Sequence, residues 1–128
     1  MRVFITMALL VSSLMMLGQQ EDCKRFKNGK FKQEDSTGEV WMVERKGTKQ
    51  TEYNDFYKMK LRFKVKWKDE CTYTLKLKKI LENPDKQPFP EGLVVTVNIT
   101  DTKDKSYTQM ATSNLTGKSL KSKVSLIE

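Results

Sequence analysis

The 128-residue chain contains no histidine and only two cysteines, Cys23 and Cys71. Without an imidazole there is no Ser-His or Cys-His nucleophile, and two thiols cannot close a structural zinc site. A Gly-rich phosphate loop, a dinucleotide fingerprint and a metal-ligand cluster are missing as well. Carboxylates stand side by side at Glu21-Asp22 and Asp69-Glu70, but at terminal or turn positions and not as two groups converging on a cleft. These absences point away from an enzyme and leave no cofactor and no metal to expect. There are no internal repeats, no low-complexity tail and no stretch with convincing helical periodicity.

Long apolar runs are also scarce, and the one present is at the N-terminus. Met1-Arg2 gives a positive start, Val3 to Leu17 an apolar run broken only by Thr6, Ser12 and Ser13, and Gly18-Gln19-Gln20 a polar exit. This is the layout of an export signal, too short and too abruptly ended for a comfortable membrane span, with a retained N-terminal anchor helix as the alternative. Residues 1–18 are therefore read as a signal peptide, cleaved between Gly18 and Gln20, and residues 19–128 as a single β domain with no transmembrane segment. A lipoprotein signal needs small residues before its cysteine. Here Gln20, Glu21 and Asp22 precede Cys23, which argues against lipidation. In an exported chain two cysteines are most simply one disulfide, Cys23 to Cys71.

The strongest pattern lies in the middle of the chain. Tyr57, Met59, Leu61, Phe63, Val65 and Trp67 alternate with Lys58, Lys60, Arg62, Lys64 and Lys66, a period of two that places large apolar groups on one face of a strand and cations on the other. At this length the strand spans about 35 Å, as in a strongly coiled sheet or small barrel. Cys71, Tyr73, Leu75 and Leu77 continue on odd positions, so the following strand shares the parity. Facing residues must share a face, and a three-residue loop, Lys68-Asp69-Glu70, satisfies this by setting Trp67 opposite Cys71, Val65 opposite Tyr73 and Phe63 opposite Leu75.

The remaining elements are shorter. Cys23 to Lys32 reads as a first strand with a break at Asn28-Gly29, Gln33 to Gly38 as a loop, and Glu39 to Arg45 as a strand apolar on both faces. Lys46-Gly47-Thr48 supplies a hairpin turn and Lys49 to Tyr53 a polar return strand. Pro84, Pro88 and Pro90 make Leu81 to Gly92 a long connection, either a lid over a cavity or a segment crossing one end of the sheet. Leu93 to Thr100, Ser106 to Thr112 and Lys118 to Ile127 complete about eight strands. Short successive connections predict an all-β antiparallel meander closed into a small barrel or strongly coiled sheet, lipocalin-like in architecture.

The formal net charge is +8, and Asp69 and Glu70 are the only acidic residues between Lys58 and Lys79. Lys58, Lys60, Arg62, Lys64, Lys66, Lys76 and Lys78 are expected on one basic face, suited either to an anionic envelope component or to plain solvation. The aromatic residues of this hairpin have the opposite parity, leaving no platform for base stacking, which argues against nucleic acid. The alternative occupant is a small apolar ligand inside the barrel. The chain is expected to act as a monomer.

The pattern Cys23-x-x-Phe26-Lys27-x-Gly29-x-Phe31, then Arg45, then Gln50-x-Glu52, then Trp67-x-x-x-Cys71-x-Tyr73 resembles a family of small exported proteins of the Bacteroidetes type, over the first half of the mature domain. Members often carry the automatic label "DNA topoisomerase IV", although a mature chain of about 110 residues has no room for that enzyme's ATPase or strand-cleaving apparatus. Gly29-x-Phe31 is also similar to the Gly-x-aromatic pattern that closes one end of lipocalin-like barrels. The family resemblance implies a periplasmic or secreted location in a Gram-negative bacterium, supports the disulfide, and carries no established activity. It also draws attention to Arg45, Gln50 and Glu52. These three could line a barrel mouth and orient a polar ligand group, or Arg45 and Glu52 could satisfy each other and pin the register.

Overall fold

The computed structural model describes residues 22–127; the expected signal peptide and its cleavage point lie outside them. Eight antiparallel strands follow one another around a closed barrel: β1 Gly29–Asp35, β2 Val40–Lys46, β3 Lys49–Asn54, β4 Met59–Trp67, β5 Thr72–Glu82, β6 Val94–Thr102, β7 Ser106–Ser113 and β8 Ser119–Leu126. The last strand returns to pair with the first, Gln33 opposite Val124, so no strand edge is left open. The expected meander and its closure are both present.

Alternation decides what is inside. Along β4 the side chains of Met59, Leu61, Phe63 and Val65 are buried, and Tyr73 and Leu75 meet them from β5. Val43, Phe31, Val124, Tyr107, Val97 and Ile99 complete the apolar interior from the other strands. At roughly 1.5–3 kcal/mol for each such side chain taken out of water, this interior is the main source of the domain's stability.

One end of the barrel is corked. A 3-10 turn, Lys24–Phe26, precedes β1 and drives Phe26 into the interior, where its ring stands 5.0 Å from that of Tyr107. Cys23 is joined to Cys71, with Cα atoms 5.3 Å apart. The Arg25 guanidinium donates to the carbonyls of Lys103 and Asp104 in the β6–β7 loop. The opposite end carries the loops at 36–39, 55–58, 83–93 and 114–118 and has no such cork among the described residues.

Several boundaries differ from the sequence reading, each for a local reason. The expected first strand over Cys23 to Lys32 begins as the 3-10 turn, and β1 then runs on through Gln33 to Asp35, because both its edges are paired, to β2 and β8. The long strand starts at Met59, not Tyr57. Asn54 Oδ1 accepts from the Tyr57 N–H, Asp55 pairs with Lys58, and Lys58 takes φ 54°, so Tyr57 and Lys58 belong to the turn. The β4–β5 loop is two residues longer than expected: Trp67 faces Tyr73, Val65 faces Leu75 and Phe63 faces Leu77. The Asp69 carboxylate accepts from the Cys71 N–H, and the Thr72 carbonyl accepts from the Lys68 N–H. This local turn takes Cys71 out of the β4–β5 pairing, while its carbonyl still accepts from the Ile99 N–H of β6 and its sulfur reaches Cys23. The shared parity of the two strands is as expected.

The β2–β3 hairpin is tighter than expected. Lys46 pairs directly with Lys49, so only Gly47-Thr48 turn the chain, and Gly47 at φ 60° occupies the left-handed region that a side chain at this position would strain. Strand β5 extends through Leu81 to Glu82 with two register shifts. Strand β6 begins at Val94, past Leu93, and runs on to Thr102 with a bulge between Ile99 and Asp101.

Candidate functional site

Four places on this barrel have the ingredients of a site: a buried polar network, the inner ring of the open end, a pair of grooves running from the rim onto the outer wall, and a wall of cations. The first contains Arg45, Gln50 and Glu52, and the structure brings all three together. Arg45 pairs with Gln50 across the β2–β3 hairpin, and the two-residue period of β3 points Gln50 and Glu52 into the barrel together. Arg45 Nε donates to Gln50 Oε1 (2.7 Å), and Gln50 Nε2 donates to Glu52 Oε2 (2.8 Å). The guanidinium also donates to the Phe26 carbonyl (2.6 Å), to the Tyr73 hydroxyl (2.8 Å) and to the Tyr107 hydroxyl (3.1 Å), while lying over the Tyr73 and Phe31 rings. Tyr73 donates onward to Gln109, and Gln109 to Gln33.

The network has a definite electrostatic character. Burial opposes the Arg45 charge, but Tyr73, Tyr107 and Glu52 outweigh it and hold the guanidinium protonated above its ordinary range. Burial raises the Glu52 carboxyl, against the pull of the Gln50 hydrogen bond and of Arg45. Burial also lifts the Tyr73 phenol well above its usual value, keeping it a neutral donor. Arg45 and Glu52 do not touch directly; Gln50 stands between them. The three groups lie inside the barrel and spend their hydrogen bonds on one another, on the cork at Phe26 and on the two tyrosines. Tyr73, Tyr107, Gln109 and Gln33 belong to the same network. Strand parity was the only sequence signal for Tyr107 and Gln109, whereas Tyr73 stood in the resembling pattern and Gln33 fell in an expected loop.

At the open end the inward positions of the strands are half-buried, not sealed. Trp41, Leu77, Val95 and Ala111 stand there, with Phe89 of the Pro-rich connection packed against the core. On the rim of this end lies a groove of about 510 Å³ between the 36–39 and 55–58 loops, lined by residues 37–40, by Met42 and by residues 53–57. A smaller groove of about 330 Å³ continues from it along the outer face and shares Met42 and Tyr53. Phe56, at the tip of the β3–β4 loop, is 86% exposed.

The basic face is broader than one hairpin. The register sets Lys46 opposite Lys49, Lys49 opposite Lys64 and Lys64 opposite Lys76, a row of four outward lysines crossing β2, β3, β4 and β5. Arg62 faces Lys79 in the next row, and Lys66 and Lys78 flank the block. None of these cations has a side-chain partner among the described residues. Lys60 stands opposite Glu82 at the edge, and Lys58 leaves the face to pair with Asp55 in its turn. Lys46, Lys49 and Lys79 were missed in the sequence because they join the basic face only through the pairing of strands. Among the described residues no grouping of three or more Cys, Asp or Glu side chains could hold a metal ion, and no helix is long and apolar enough to cross a membrane.

No protein-family model, curated protein or solved structure matches the chain.

Proposed function

We propose that this is an exported, non-enzymatic binding domain that docks an anionic component of the cell envelope on its basic outer wall. The observation that carries the reading is the unpaired row Lys46, Lys49, Lys64 and Lys76. Like charges placed directly opposite one another destabilise a sheet, and an anion lying across the row relieves that repulsion. Each lysine near an anionic surface is worth about 1 kcal/mol, so four in concert are enough for salt-sensitive docking. The absence of histidine and the locking of both cysteines in one disulfide support a role without catalysis, and the disulfide supports an oxidising compartment.

The test is co-sedimentation of the disulfide-intact protein with phosphatidylglycerol vesicles, using phosphatidylcholine vesicles as the control. Binding should be confined to the anionic vesicles, fall steeply as salt rises, and disappear in the triple variant K49E/K64E/K76E. Equal binding by the wild type and the triple variant, or binding indifferent to salt, would remove the reading.

A second reading has its own support. The half-buried inner ring of Trp41, Leu77, Val95 and Ala111 at the open end suits the carrier of a small apolar molecule, seated above the Arg45 network. In a W67F variant Trp41 is the one remaining indole. A carrier should show its fluorescence shifting on titration with a fatty acid, and an unmoved spectrum counts against that reading.

A further inference from the structure

The 510 Å³ groove at the open end joins two features that a merely apolar depression would not have. The first is an aromatic surface held out toward water. Phe56 and Tyr57 stand edge to face with ring centres 5.0 Å apart, and Tyr53 lines the same groove. The loop that carries them is tied down: Asn54 Oδ1 accepts from the Tyr57 N–H (3.0 Å) and Asp55 pairs with Lys58 (3.0 Å). The exposure of Phe56 is therefore imposed by the fold.

The second feature is an uncompensated carboxylate. Two acids line the groove, Glu39 and Asp55. Asp55 is already neutralised by Lys58 and accepts from the Tyr53 hydroxyl. Glu39 is different. Its Oε1 is fixed by two neutral donors, the Trp41 indole N–H (3.1 Å) and the Asn54 amide (3.0 Å), and no cation approaches it among the described residues. A neutral apolar occupant would strip water from that carboxylate and return nothing. A cation would compensate it and sit against the negative faces of the rings as well.

We propose that this groove is a binding site for an alkylammonium group, a quaternary ammonium above all, held between the Phe56 and Tyr57 rings and the Glu39 carboxylate, which the Asn54 side chain ties to the Tyr57 backbone. A quaternary ammonium fits better than a primary one because it has no N–H bonds to water to give up and its methyl groups suit aromatic walls. On a chain of net charge +8 this acidic, aromatic groove attracts what the lysine wall repels, so the two sites take ligands of opposite sign.

The experiment is a titration of the full disulfide-bonded domain, followed by amide NMR shifts, with choline and with dimethylbutanol, its uncharged carbon isostere. Choline should move the resonances of residues 37–42 and 53–57 and bind at least fivefold more tightly than the isostere. F56A, a change at an exposed tip that leaves the core untouched, should weaken choline about three- to fivefold. E39Q should bring choline down to the affinity of the isostere. Equal affinity for choline and the isostere would show a groove that is only apolar and would overturn the proposal, as would shifts confined to other residues or an F56A variant that binds choline unchanged. The same titration on K49E/K64E/K76E should give the wild-type result, so failure of the lysine-wall reading and failure of this one are seen separately.

Discussion

Arg45 is held by three side chains and one carbonyl, each from a different part of the chain: Gln50 of β3, Tyr73 of β5, Tyr107 of β7 and the Phe26 carbonyl of the cork. Its removal leaves buried acceptors without donors, which costs far more than the bonds contributed in net terms. Arg45→Met should lower the unfolding free energy by about 3–5 kcal/mol, read as a shift in the urea midpoint. Glu52 behaves oppositely. Burial raises its folded-state pKa above the unfolded value, so the folded protein binds that proton more tightly. Stability is then fullest below the ordinary carboxylate range and declines as pH rises through the raised folded value. Glu52→Gln keeps an oxygen to accept from Gln50 and cannot ionise. Its stability should be less dependent on pH than the wild type's over that window, and urea melts from pH 4 upward check the difference. A parallel pair of pH curves would mean that Glu52 does not titrate as buried.

At the scale of the element, the turns and the disulfide set the register. Cys23 and Cys71 are 48 residues apart, and closing a loop of that length in the unfolded chain is worth about 4 kcal/mol in the chain-entropy model. The variant C23S/C71S should lose about 2–4 kcal/mol in chemical denaturation, and the wild type under reducing conditions should match it. The same region shows what the sequence could and could not convey. The parity of Phe63, Val65 and Trp67 against Tyr73, Leu75 and Leu77 was legible, because a period of two in side-chain polarity is a direct image of one buried face. The loop length was not. Loops of three and five residues preserve the same parity, and the five-residue loop is closed by bonds that a polarity pattern does not encode, from the Cys71 N–H to the Asp69 carboxylate and from the Lys68 N–H to the Thr72 carbonyl. Likewise Arg45, Gln50 and Glu52 were picked out in the sequence, but their partners Tyr73 and Tyr107 lie on strands whose position inside the barrel is fixed only by closure.

For the molecule as a whole, the lysine row sets stability against binding. Lys64 lies between Lys49 and Lys76, so it meets a like charge on each side. Replacing it by glutamate turns two repulsions into two attractions, each worth a few tenths of a kcal/mol in an exposed ladder. K64E should therefore be more stable than the wild type by about 0.5–1 kcal/mol at low salt, with the gain shrinking toward zero as added salt screens the row. In the same variant, binding to phosphatidylglycerol vesicles should fall. A surface shaped only by solubility would show the first effect without the second, since acidic residues serve solubility at least as well as lysine does. The two readouts together decide the matter: thermal melts of K64E across a salt series, and vesicle co-sedimentation of the same preparation. Greater stability with undiminished binding would reduce the row to a solvated face, whereas greater stability with lost binding identifies a fold that carries repulsion in its free state because the anion relieves it.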